Sequence, residues 1–142
     1  MKKVRDILQG KGRDVWSVGP EATVLEALQR MAEKEIGALA VMDGARLVGI
    51  ISERDYARKV FLLGRSSPTT LVKEIMTSHV VHTHLDQPIE ECMAVMTDKR
   101  VRHLPVIEAG NLVGIISIGD LVKAIIADQQ FIIEQLERYI AG

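Results

Sequence analysis

The chain of 142 residues contains a single cysteine, Cys92. A lone thiol excludes an internal disulfide and the multi-cysteine zinc patterns, and it suits a reducing cytosol. A charge bias is missing too: 18 Lys and Arg stand against 19 Asp and Glu, for a formal charge of -1. A nucleic-acid binder that works through bulk electrostatics carries a basic excess, so this balance argues against one. No stretch approaches the roughly 18 uninterrupted apolar residues of a transmembrane helix. The opening MKKVRDILQGKGRD has no apolar core of signal-peptide length, which leads us to expect a cytoplasmic protein with no membrane partner. The phosphate loops GxGxxG and GxxxxGK[ST] are absent, as is any nucleophile elbow or evident carboxylate pair, so no enzymatic activity is expected. The histidines His79, His82, His84 and His103 fall at no zinc-ligand spacing, and no metal is expected.

What is present is an ordinary globular composition, 47% hydrophobic and 26% charged. Disorder and collagen are excluded. The length suits one domain or two small units sharing a core. A repeat decides for two units. ARLVGIISERDYARKV (45–60) matches GNLVGIISIGDLVKAI (110–125), an offset of 65 residues. Carried back without a gap to Val15 and Val80, the 46 aligned pairs hold 13 identities, against roughly three by chance. A shorter echo precedes each copy: VRDIL (4–8) resembles VKEIM (72–76) at an offset of 68, so the first copy carries three extra residues near Gln9 to Arg13. A unit of this size rarely folds well alone, and two copies are expected to bury each other's apolar sheet surface. The segment Gly64 to Thr70, GRSSPTT, reads as the loop between them. The expected division is therefore 1–66, a first repeat with its N-terminal segment, and 67–142, a second repeat with a C-terminal helix.

Each unit reads as strand, helix, strand, strand, helix. In the first, Val15 to Val18 is a strand, and Thr23 with Glu26 forms a capping box. The helix that follows keeps Val24, Leu28, Met31 and Ala32 on one face. Ala38 to Met42 and Leu47 to Ile51 flank an Asp43-Gly44 turn, a hairpin signal, and a helix runs from Glu53 to Leu63. The second copy repeats this at Val80 to Thr83, Ile89 to Lys99, Leu104 to Ile107, Leu112 to Ile116 and a helix from Gly119. Strands rich in Val, Ile and Leu with little alternation are buried on both faces. Asp128 to Tyr139 is helical, with no counterpart in the first copy. Cys92 aligns with Ala27 and reads as a small core residue.

Both copies close on Gly-Ile-Ile-Ser-x-x-Asp: Gly49, Ser52, Asp55 and Gly114, Ser117, Asp120. Serine at a helix N-cap with aspartate three residues on is a capping pair. The same geometry suits a ligand. A helix N-terminus attracts anions, the hydroxyl can donate to a phosphate, and the carboxylate can accept from the two hydroxyls of a ribose. Both readings stand together.

The tandem unit, this motif at the end of each copy, and Arg102-His103-Leu104-Pro105-Val106 on the middle strand resemble a pair of CBS domains, a Bateman module. The resemblance spans Lys2 to Ala127, and the chain is similar to the small stand-alone bacterial CBS-pair proteins. It implies an α/β fold of two βαββα repeats related by a pseudo-two-fold axis, and a disk-like homodimer. It also implies a regulatory module that binds AMP, ADP, ATP or NADH, and in some members S-adenosylmethionine, between the repeats and signals to a protein effector. On this resemblance one site comprises Ser117, Asp120, Arg102 and Ile116 with Trp16, Ser17, Val18, Gly37 and Ala38. A second comprises Ser52, Arg54 and Asp55 with Val81, His82, Thr83, His103 and Pro105. Arg102 aligns with Gly37, so the second site lacks its own phosphate-binding guanidinium. Arg54, or Arg102 and His103, would have to replace it. A charge-assisted contact contributes roughly 1.5–3 kcal/mol, which makes the Asp120 site the stronger. Arg54, Arg58, Lys59 and Arg65 form a basic cluster that is either a solvated helix face or extra phosphate contacts. The second helices of the repeats and Ile132, Ile133 and Leu136 are candidates for the dimer interface. The alternative to a sensor is a ligand-free module that acts only through self-association.

Overall fold

A computed structural model describes residues 2–141. The elements run α1 (Val4–Lys11), β1 (Ser17–Val18), α2 (Val24–Lys34), β2 (Ala38–Asp43), β3 (Arg46–Ser52), α3 (Glu53–Tyr56), α4 (Val72–Ile75), α5 (Ile89–Lys99), β4 (His103–Glu108), β5 (Asn111–Ser117) and α6 (Ile118–Ala141). The chain forms two compact units. One is Val15–Val81; the other joins Met1–Asp14 to His82–Gly142. This grouping in space differs from the division by sequence at residue 66, because α1 packs with the second repeat and α4 with the first.

In the Val15–Val81 unit, β1 pairs parallel to β2 and β2 pairs antiparallel to β3. The expected strand from Val15 shortens to Ser17–Val18, where Ser17 sits opposite Ala40 and Val18 opposite Val41. Thr23 caps α2 as its sequence demands: its hydroxyl accepts from the Glu26 amide and the Glu26 carboxylate accepts from the Thr23 amide, both at 3.1 Å. Asp43 opposes Arg46, leaving Gly44-Ala45 as the hairpin loop. Gly44 has φ of 63°, the sign a type II′ turn requires at its first central residue. Val24, Ala27, Met31, Leu39, Val41, Ile51 and Val60 form the core with Val72 and Ile75 of α4. The helix expected from Glu53 to Leu63 is α-helical only to Tyr56. Ala57–Phe61 widens into a π-helical turn, and Leu62 N–H donates to Ala57 O at 3.1 Å. At its end Phe61, Leu62 and Leu63 are exposed.

The other unit repeats the scheme. β4 and β5 form a hairpin with the same irregularity at Val106/Ile107 that β2 shows at Val41/Met42. Its loop is Ala109-Gly110, both at positive φ, the type I′ pattern. Val80 to Thr83 is no strand; a single bridge, Thr83 to Val106, remains of the expected pairing. Ile89, Cys92, Met96, Leu104, Val106 and Ile116 are buried at positions aligned with the core of the first unit, and Val4 and Ile7 of α1 take the places of Val72 and Ile75. Burial raises the pKa of the Cys92 thiol, opposed by its contact with the Thr83 hydroxyl. The helix from the motif and the C-terminal helix are one continuous element, α6, because no glycine or proline follows Gly119 before Ala141 to interrupt it.

The motif glycines explain why the leading helices go where they do. A Cβ on Gly114 would lie 2.9 Å from both Leu8 methyl groups. On Gly49 it would lie 2.7 Å from Met76 Sδ and 2.9 Å from Thr77 O. Leu8 and Met76 are the equivalent residues of VRDIL and VKEIM. Each unit thus closes one leading segment onto a bare patch of its hairpin, and a side chain there would push it off.

Candidate functional site

Each Ser-x-x-Asp motif sits where the last strand of a hairpin enters a helix, and both form the capping pair. In the first unit the Ser52 amide donates to Asp55 Oδ2 at 2.9 Å and the Asp55 amide to Ser52 Oγ at 3.2 Å, with the two side chains 3.0 Å apart. In the second, the Ser117 amide donates to Asp120 Oδ2 at 2.8 Å and the Asp120 amide to Ser117 Oγ at 3.2 Å. The preceding hairpin closes both in the same way. Glu53 N–H donates to Gly37 O at 3.0 Å and Ile118 N–H to Arg102 O at 2.9 Å. Positions 37 and 102 therefore lie against the motif through their backbones, and only the second unit places a guanidinium-bearing side chain there.

Two lysines join these carboxylates. Lys11 Nζ of α1 donates to Asp120 Oδ2 at 2.7 Å and to Ile115 O at 2.9 Å. Lys59 Nζ lies 3.4 Å from Asp55 Oδ1 and donates to Ile75 O at 2.9 Å. They are not equivalents: Lys59 aligns with Ala124, whereas Lys11 lies where the two copies differ in length. One cation arrives from four residues down the same helix, the other from 109 residues away. The motif alone gives no sign of Lys11, although it lies in the three-residue excess of the first copy. Lys59 and Arg65 leave the expected basic cluster, since Lys59 is held at Asp55 and Arg65 pairs with Glu74 at 2.9 Å.

Burial opposes ionisation of Asp120, but the Lys11 ammonium and the Ser117 amide outweigh it and hold the carboxyl below the ordinary aspartate range. A depressed folded-state pKa contributes stability that is full above the unfolded value and is lost as pH falls through the folded one. Lys11→Met removes the larger of the favourable hydrogen bonds. Urea midpoints measured between about pH 2 and 6 should then fall less steeply on the acid side than those of the wild type. Parallel profiles would show that the pair does not form in solution.

The remaining expected residues divide between the units. Trp16, Ser17, Val18, Gly37 and Ala38 lie together with Ser52, Arg54 and Asp55 in the first unit: Ala40 N–H donates to Trp16 O at 3.2 Å, and Ala38 sits opposite Ser52. Trp16 is 38% exposed and Lys34 Nζ lies 4.0 Å from its ring centre, a cation–π contact. Arg30 donates to Ser17 O at 2.9 Å. Gly37 lines a concavity of about 280 Å³ with Leu28, Met31, Ile36 and Glu53. Val81 ends this unit. His82, Thr83, His103 and Pro105 belong to the second unit with Arg102, Ile116, Ser117 and Asp120; His103 sits opposite Ser117. Thr83 is a correction to the ligand-facing role expected of it. It is buried, its hydroxyl bonds Gln87 and contacts Cys92 Sγ at 3.4 Å, and its backbone bonds Pro105 and Ile107. Each polar group of Thr83 thus already has a partner within this unit. Among the described residues no three His, Cys, Asp or Glu side chains cluster as metal ligands, and no helix is long and apolar enough to cross a membrane.

A family model for the CBS domain matches residues 4–61 and 72–127. The chain belongs to the CBS-domain family. The two CBS repeats account for most of its length. The chain is 35% identical over 149 residues to the CBS domain-containing protein CBSX3, mitochondrial, of Arabidopsis thaliana, covering 98% of this chain and 72% of that one. A solved structure described as a putative signal-transduction protein with CBS domains, from Burkholderia ambifaria, is 52% identical with a TM-score of 0.87, covering 90% of this chain and 96% of that one. The CBS domain pair of protein MJ0100, solved in complex with 5′-methylthioadenosine and S-adenosyl-L-methionine, is 25% identical with a TM-score of 0.80, covering 90% and 98%.

Proposed function

We propose that this CBS pair is a non-catalytic regulatory module that binds an adenosine-containing ligand (AMP, ADP, ATP, NADH or S-adenosylmethionine) and signals to a protein effector as a homodimer. The observation that carries the reading is the state of Asp120. Its side chain is 19% exposed, ionised by its neighbours, and uses only Oδ2 in its hydrogen bonds to Ser117 and Lys11. Oδ1 and the remaining capacity of Oδ2 suit the paired hydroxyls of a ribose. Ser117 and Arg102 beside it would meet a phosphate. The reading assigns the base to Ile116 and to Trp16, Ser17, Val18, Gly37 and Ala38. Asp55 with Ser52 would hold a second ligand more weakly, because Gly37 replaces the arginine and Thr83 is buried. The adenosine compounds bound to the MJ0100 pair support the ligand class.

Thermal unfolding with each of the five compounds, and with 5′-methylthioadenosine, tests the reading. A ligand at a hundred times its Kd adds about 2.7 kcal/mol, or roughly 5–10 °C for a chain this size. A shift with at least one compound supports a sensor. No shift with any of them leaves the chain as an assembly module.

A further inference from the structure

Lys11 does for the second unit what the main chain does for the first. In the first unit the leading segment is tied to the last strand of the hairpin by backbone bonds: Ile50 N–H donates to Thr77 O at 3.0 Å and Thr77 N–H to Ile50 O at 2.9 Å. The residue aligned with Ile50 is Ile115. Its carbonyl accepts instead from Lys11 Nζ at 2.9 Å, the same ammonium that meets Asp120 Oδ2 at 2.7 Å. Among the described residues no backbone hydrogen bond joins α1 to β5 beside it. The apolar part of that contact is Leu8 on Gly114. The lysine also sits at a junction. It is the last residue of α1, Gly12 follows at φ of 94°, and from Val15 the chain belongs to the other unit.

We propose that Lys11 is a latch: its ammonium holds the end of α1 on β5 while Asp120 anchors it, so whatever claims that carboxylate alters how α1 is docked and how the chain leaves for the first repeat. An ammonium on a carbonyl oxygen alone is a tether that water readily replaces. A carboxylate strengthens it, because a charge-assisted bond is about twice as strong as a neutral one. The Lys11 side chain is 39% exposed and that of Asp120 19%, so an ammonium that loses its anion can return to solvent. A carboxylate that also accepts two ribose hydroxyls attracts the ammonium less, and a ligand at Asp120 therefore loosens α1. This last step rests on the proposed function; the latch itself does not. Asp55 lacks the device. Lys59 reaches Ile75 O from the motif's own helix, and the Ile50–Thr77 bonds hold the leading segment whatever the state of Asp55.

The test is amide exchange on the full chain without ligand, read by mass spectrometry, for wild type, Asp120→Asn, Lys11→Met and the double variant. Asparagine keeps the shape of the side chain and still accepts from the Ser117 amide, so the cap survives; thermal unfolding checks that each variant is folded. Exchange over 4–11 should quicken by about fivefold in each single variant. It should quicken no further in the double variant, because both changes remove the same contact. Asp55→Asn should leave 72–76 within about twofold of wild type. Unchanged exchange over 4–11 in either single variant, additive effects in the double variant, or an equal loosening of 72–76 by Asp55→Asn overturns the proposal. The ligand step has its own arm. A compound from the thermal screen that raises the unfolding temperature should quicken 4–11 relative to β4 in the wild type and not in Lys11→Met. Binding without that change overturns the ligand's use of the latch. If none of the compounds binds, the sensor reading fails, while the ligand-free comparison still decides the latch.

Discussion

Asp120→Ala should abolish the ligand-induced rise in unfolding temperature while leaving a folded protein. Two costs separate. The capping interaction with Ser117 contributes about 1 kcal/mol to the fold, and losing it lowers stability by that amount. The ligand loses more. A ribose held by one carboxylate makes two charge-assisted hydrogen bonds at roughly 1.5–3 kcal/mol each, so affinity should fall by about 100-fold or more. At a concentration that saturates the wild type, the variant is nearly empty and its shift disappears. A variant that keeps the full shift would mean that Asp120 only caps α6.

The second large effect lies far from the motif in sequence. Leu8→Ala should cost about 2–5 kcal/mol, a large fraction of the 5–15 kcal/mol that holds an ordinary domain together. Leu8 is 1% exposed and lies on Gly114, so its loss opens a cavity over β5. The location of the damage is as informative as its size. Amide exchange should accelerate in β4 and β5, which belong to the unit that contains α1, before it accelerates in β2 and β3. The reverse order would show that α1 supports the first repeat instead.

Much of this fold is legible in the sequence because it is local. Thr23 with Glu26 and each Ser with its Asp are three residues apart, and caps need nothing more distant. The hairpins follow from apolar runs around two-residue loops. The repeat itself locates the core of each unit, since aligned residues such as Met31 and Met96 or Leu39 and Leu104 are each buried in their own unit. What the sequence hides is non-local. Nothing in KGR at 11–13 shows that Lys11 ends on a carboxylate in α6, because only folding brings α1 to β5. Nor does the order of VRDIL and VKEIM show which repeat each one serves. Val80 to Thr83 has the composition of a strand, but only Thr83 finds a partner. Ala127-Asp128 looks like a boundary between helices only because the repeat ends there, while the backbone has no reason to stop.

The central claim is that the repeated motif holds an adenosine ligand and that its two copies do so unequally. Calorimetric titration of the wild type, Asp120→Ala and Asp55→Ala with the compound giving the largest thermal shift tests it most directly. The account predicts saturable binding to the wild type, its loss in Asp120→Ala, and survival of the tighter binding in Asp55→Ala. Binding that is the same in all three proteins, or lost equally in both variants, would contradict it.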